Sequence, residues 1–209
     1  MMRKWIAGAA LAFAAAAPAQ ETAPDELVKS VMLEIQGIIA QDKELQGGDR
    51  RKTIALIEQK ALPHFNFTGM TALAVGPAWQ KATPEQKKRL AEEFRILLTR
   101  TYASSLSAFR EQKLDFRPLR MKPADTDVTV RVRVLQQGGG QPVELEYDME
   151  KTARGWKCYD VRVAGISLVV NYRTDFANLV RQGGVDGLIK ALETKNRSAE
   201  SPAAGVAKK

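Results

Sequence analysis

Residues that carry chemistry are scarce in this chain. It has one cysteine, Cys158, and one histidine, His64, among 209 residues. A single cysteine excludes an internal disulfide, and with one histidine no Cys/His set has the spacing of a zinc site. There is no Gly-x-Ser-x-Gly turn and no acidic loop with calcium spacing. Gly138-Gly139-Gly140 lacks the Lys-Ser/Thr that would follow in a phosphate loop, so it is a hairpin turn. No basic run is interleaved with aromatics, so nucleic acid is not an expected partner. Beyond the first twenty residues no apolar run is long enough to span a bilayer. These absences move the expectation from catalysis toward binding.

The N-terminus has its own logic. Arg3 and Lys4 precede an apolar run from Ile6 to Ala17, and Ala17-Pro18-Ala19 is a small-x-small cleavage pattern. This predicts a signal peptide over residues 1–19 and an exported mature chain beginning at Gln20. No cysteine follows the cleavage site to take a lipid anchor. Residues 20–197 suit one domain, and the Ala/Ser/Lys-rich segment 198–209 is expected to be a disordered tail. Without Arg3 and Lys4, 30 basic residues face 24 acidic ones, a net charge of +6. That balance suits a solvated basic surface, or attraction to an anionic membrane or an acidic protein.

Helices are expected first. Leu27, Val31, Ile35 and Ile38 form a stripe over Thr22 to Gln41. Asp49 can cap a second helix that Pro63 stops, and Asn66 a third that ends at Gly76-Pro77. Thr83-Pro84-Glu85-Gln86 is a capping-box start for a long helix toward Phe109. Strands follow. Val128, Val130, Val132 and Val134 alternate with Thr129, Arg131 and Arg133; Val143, Leu145, Tyr147 and Met149 alternate with Glu144, Glu146 and Asp148. Basic residues on one outer face and acidic ones on the next predict cross-strand pairs in an antiparallel meander. The apolar phase slips between Cys158 and Tyr159, which predicts a bulge or burial on both faces. Two closing helices are expected, Ser167 to Gln182 and Val185 to Lys195, with Ser167 as cap and Leu168, Val169 and Val170 as an apolar first turn. Helices, then a meander, then helices make an α+β fold, with five or six helices over the sheet and an apolar cavity between them.

Several segments, taken together, resemble the MlaC/toluene-tolerance family of periplasmic phospholipid-binding proteins. They are ALPHFNF (61–67), WQKATPEQ (79–86), EFRILLTRTYASSL (93–106), DTDVTVRV (125–132), WKCYDVRVAGISLVVNYRTDF (156–176) and GGVDGLIKALETKN (183–196). The resemblance implies a monomeric, non-enzymatic carrier that holds a glycerophospholipid as cargo and uses no cofactor. Its implied partners are an inner-membrane ABC transporter complex and an outer-membrane lipoprotein–porin complex, and its implied role is to maintain outer-membrane lipid asymmetry. By side-chain phase, the expected cavity lining is Val130, Val132, Leu145, Tyr147 and Met149 from the sheet. From the helices it is Phe94, Leu98, Tyr102, Val169, Val170 and Tyr172. An apolar stripe does not distinguish a ligand from the protein's own core as its neighbour. Two other readings remain open: a small enzyme using Asp160 with Tyr159 or His64, and a module whose groove takes a partner helix.

Overall fold

The computed structural model describes residues 22–108, 112–136 and 138–200. The expected signal peptide, Phe109 and residues 201–209 of the expected tail lie outside the described residues.

Helix α1 (Pro24–Gln41) opens on a proline, with Asp25 and Glu26 in its first turn. Both suit a helix start, since proline needs no acceptor there and carboxylates face the positive end of the dipole. Asp42 caps α2 (Lys43–Gln46) by accepting from the N–H groups of Glu44 and Leu45. Asp49 caps α3 (Arg50–Leu56) by accepting from Lys52 N–H at 2.9 Å. Before Pro63 ends it, this helix widens into a π turn over Ile57–Ala61 and then tightens into a 3-10 turn over Leu62–His64. Helix α4 (Phe67–Val75) begins where Asn66 Oδ1 accepts from Gly69 N–H at 3.0 Å. A side chain at position 69 would crowd Asn66 Nδ2 at 3.0 Å and Glu150 Oε1 at 3.3 Å, so glycine allows the close approach. After α5 (Ala78–Lys81), α6 (Pro84–Ala108) starts with the expected capping box. Thr83 Oγ1 accepts from Gln86 N–H at 3.2 Å, and Gln86 Oε1 accepts from Thr83 N–H at 3.0 Å.

Five antiparallel strands form one meander in chain order: β1 (Lys113–Phe116), β2 (Asp127–Leu135), β3 (Val143–Thr152), β4 (Gly155–Val163) and β5 (Ile166–Ser167). The cross-strand ion pairs are present. Arg131 meets Glu146 at 2.8 Å, Arg133 meets Glu144 at 3.1 Å, and Arg162 bridges Glu146 at 2.8 Å and Asp148 at 2.7 Å. Asp148 faces Asp160 while Met149 faces Cys158, so Tyr159 is an extra residue in β4. That is the bulge where the apolar phase slips.

The segment after β4 departs from expectation. Ser167 does cap, accepting from the N–H groups of Val169 at 3.2 Å and Val170 at 2.8 Å. What it caps is a 3-10 turn over Val170–Tyr172, and the α-helix starts later, at Arg173. Helix α7 (Arg173–Glu200) breaks at Gly183 and Gly184, whose φ values are −137° and +67°. It thus contains the two expected closing helices and continues through Glu200, past the expected start of the tail.

The buried apolar residues fall into three groups. One joins α4, α6 and α7 around Phe94, Leu90 and Leu188. A second lies under the sheet against Val28 of α1, and a third joins α1, α2 and α3. Among the described residues seven helices accompany an antiparallel sheet, and the fold is α+β.

Candidate functional site

Two apolar chambers lie between the sheet and the helices. The first, of about 180 Å³, is roofed by α1 through Leu27, Val31, Met32 and Ile35, and floored by Leu145, Tyr147, Met149 and Cys158. The second, of about 130 Å³, lies under α6, between Leu98, Thr99 and Tyr102 on one side and Val161 and Leu168 on the other. Ala61 and Phe65 line both, so the α3–α4 connection is the partition. The π turn presents Ile57 and Ala61 toward the chambers. The backbone N–H of Asn66 donates to Cys158 O at 2.8 Å and fixes Phe65 beside β4 as a one-residue parallel bridge. The Phe65 and Phe67 rings stack with centroids 5.9 Å apart.

The few polar atoms around the chambers are held neutral. Tyr147 O–H donates to Met32 Sδ at 3.6 Å, and burial pushes its ionisation well above the ordinary tyrosine value. Burial likewise raises the Cys158 thiol, whose Sγ donates to Asp160 O at 3.1 Å. Tyr102 is pushed up to about 12, first by burial and then by its neighbour Tyr172. Burial, with the Lys157 ammonium nearby, lowers His64, so its imidazole is uncharged at neutral pH. Thr99 Oγ1 is buried with no hydrogen-bond partner.

Of the eleven residues expected to line a cavity, Leu145, Tyr147 and Met149 lie on the first chamber, and Leu98 and Tyr102 on the second. The other six line neither. Val130 and Val132 are covered because α1 packs directly on β2. Phe94 is fully buried in the helical core, edge-on to Tyr172 and Phe176 at 5.2 Å each. Val169 is 0% exposed in the same core, and Tyr172 packs against it. Val170, at 38% exposure, sits at the surface because the 3-10 turn rotates it outward. The residues missed are mainly the α1 stripe and Phe65. The stripe was visible in the sequence, but its spacing says only that something apolar covers it.

The residues of the enzyme reading are not brought together on either chamber. Asp160 lines neither chamber, His64 lines the first, and Tyr159 O–H donates to Asp127 Oδ1 at 3.2 Å. Among the described residues no cluster of three or more His, Cys, Asp or Glu side chains is placed to hold a metal ion, and no helix is long and apolar enough to cross a membrane.

The chain is similar to known proteins. The chain is 22% identical over 184 residues to the intermembrane phospholipid transport system binding protein MlaC of Haemophilus influenzae, covering 87% of this chain and 85% of that one. It is 24% identical over 165 residues to the toluene tolerance protein ttg2D of Pseudomonas putida, covering 78% and 75%. The solved phospholipid-binding protein from Ralstonia solanacearum, in complex with a phospholipid, superposes with a TM-score of 0.77 at 36% identity, over 85% of this chain and 98% of that one. A family model described as MlaC protein matches residues 29–194, which takes in the α1 roof from Val31 onward, the Phe65 partition and the whole meander, and the chain therefore belongs to the MlaC family.

Proposed function

We propose that this protein is a carrier that takes the acyl chains of a glycerophospholipid into the two chambers and moves the lipid through an aqueous compartment. The observation that supports it most is the pair of adjacent apolar chambers divided by one aromatic partition, a shape suited to a two-tailed amphiphile. Leu98, Tyr102, Leu145, Tyr147 and Met149 would touch the chains, together with the α1 stripe and Phe65.

The physical need is large. Removing a methylene from water is worth ~0.8 kcal/mol, so one long acyl chain represents roughly 10–12 kcal/mol. Exchange between a bilayer and an equally apolar chamber is near balanced, whereas passage through water is not. Loading and unloading therefore require docking, so that the chains never meet bulk water. In this reading the protein is exported to the periplasm, performs no covalent step, and docks on an outer-membrane lipoprotein–porin complex and an inner-membrane ABC transporter complex, the latter supplying the energy.

Native mass spectrometry of protein purified without detergent tests the reading. A mass excess that solvent extraction resolves into glycerophospholipid is expected. A bare polypeptide mass that persists after incubation with phospholipid vesicles would overturn it.

A further inference from the structure

A hollow of about 450 Å³ opens where the β3–β4 hairpin meets the start of α4. Its walls include Phe65 to Thr68 on one side and Thr152 to Arg154 with Lys157 on the other. Two cations line it and no carboxylate does. Glu150, the cross-strand partner of Lys157, is turned to Asn66, whose Nδ2 donates to Glu150 Oε1 at 2.5 Å. Lys157 Nζ donates to Pro63 O at 2.7 Å, which anchors the ammonium at the rim and leaves its other two N–H groups free. Among the described residues neither Lys157 nor the exposed Arg154 has a carboxylate partner.

The hollow adjoins the lipid chambers directly. Phe65 lines it and both chambers, and Phe67 lines it and the second chamber. An amphiphile with its tails on either side of Phe65 would bring its polar end out beside that ring, next to two unneutralised cations. The N–H groups of Phe67 and Thr68, at the positive end of α4, face no backbone acceptor and add to the same field.

We propose that this hollow seats the phosphate of the lipid headgroup, with Arg154 and Lys157 as the cations that read it. The inference rests on the phospholipid reading and deepens it: the cargo is selected by its phosphate as well as by its tails. Charge-assisted hydrogen bonds to phosphate are strong enough that losing one cation should weaken retention roughly tenfold.

The experiment loads wild type, Arg154→Glu, Lys157→Ala and Lys157→Arg from vesicles containing phosphatidylglycerol and diacylglycerol with the same acyl chains, and measures both lipids on the re-isolated protein. Arg154 bonds through its backbone N–H, which donates to Thr152 Oγ1 at 3.1 Å, and a substitution of its exposed side chain keeps that bond, so its replacement is not confounded by unfolding. Arg154→Glu and Lys157→Ala are expected to lose phosphatidylglycerol roughly tenfold while keeping diacylglycerol, and Lys157→Arg to restore retention. Equal loss of both lipids, or loss of neither, would overturn the phosphate seat. Wild type that takes up neither lipid would instead overturn the carrier reading beneath it. Inorganic phosphate added alone is expected to leave the amide resonances of Phe67 and Thr68 unsaturated at micromolar concentration. Saturation there would make the hollow a free-anion site and overturn the headgroup assignment.

Discussion

Phe65 is bridged to Cys158 through the Asn66 N–H to Cys158 O bond, and its side chain, packed against two of the cores, borders both chambers. Phe65→Ala therefore joins the chambers. The side chain is half-buried, so the expected cost is about 2 kcal/mol, below that of a fully buried phenylalanine. Urea unfolding measures it, and an unchanged midpoint would mean that the partition contributes nothing to the fold.

Two acidic substitutions separate chamber from core. Val31 is half-buried on the α1 roof, so Val31→Asp should abolish lipid co-purification and leave a folded protein. Val169 is 0% exposed in the helical core. Val169→Glu should cost at least about 3 kcal/mol and deplete folded protein whether or not lipid is present. Circular dichroism melts with lipid extraction check both. A well-folded, lipid-free Val169→Glu protein would return Val169 to the chamber lining.

Asp160 gives the fold a pH signature. It is 3% exposed, its Oδ1 has no hydrogen-bond partner, and its pKa is raised, chiefly by burial and then by Asp148 across the ladder, against bonds from Ser167 and the backbone of Val161 and Val169. A carboxyl with a raised folded-state pKa holds its proton more tightly in the native than in the unfolded chain. Stability from this group thus falls as pH rises from about its unfolded value toward its folded one, and is level above that. Asp160→Asn removes the titration. The stability difference between Asp160→Asn and wild type, followed by urea unfolding, should shift in favour of the asparagine protein as pH increases from about 4. A pH-independent difference would contradict the assignment.

Thr99 carries a buried hydroxyl without a partner beside the second chamber. Replacing it by the isosteric valine removes an unmet hydrogen-bonding group. Thr99→Val should therefore be neutral or stabilising by about 1 kcal/mol. Denaturant titration of the lipid-free protein decides this, and a loss of stability would reveal a bond the hydroxyl makes in solution.

Much of the scaffold was legible in the sequence because local rules acted alone. Arg131, Arg133, Glu144 and Glu146 declared their pairing by alternation, Thr83 and Gln86 their capping box, and the slip at Tyr159 its bulge. The chamber lining was not legible for a physical reason. Val130 on β2 and Tyr147 on β3 share a face and a phase, yet one is covered by α1 and the other meets free space. That depends on where a helix roughly a hundred residues earlier in sequence comes to rest. The start of α7 was missed because Ser167 has the same cap chemistry before a 3-10 turn as before an α-helix, and Val169 and Val170 are β-branched residues that gain little from continuing one.

The extra residue at Tyr159 has a consequence for how this strand can vary in length. In a regular strand, positions 158 and 160 would share a side. Here Cys158 meets the first chamber while Asp160 opposes Asp148 on the reverse. Deleting Tyr159 would make Cys158 and Asp160 neighbours on opposite sides of a regular strand, so Val161 and Val163 would keep the apolar side. The bulge is thus a place where β4 can shorten by one residue without exchanging its two faces.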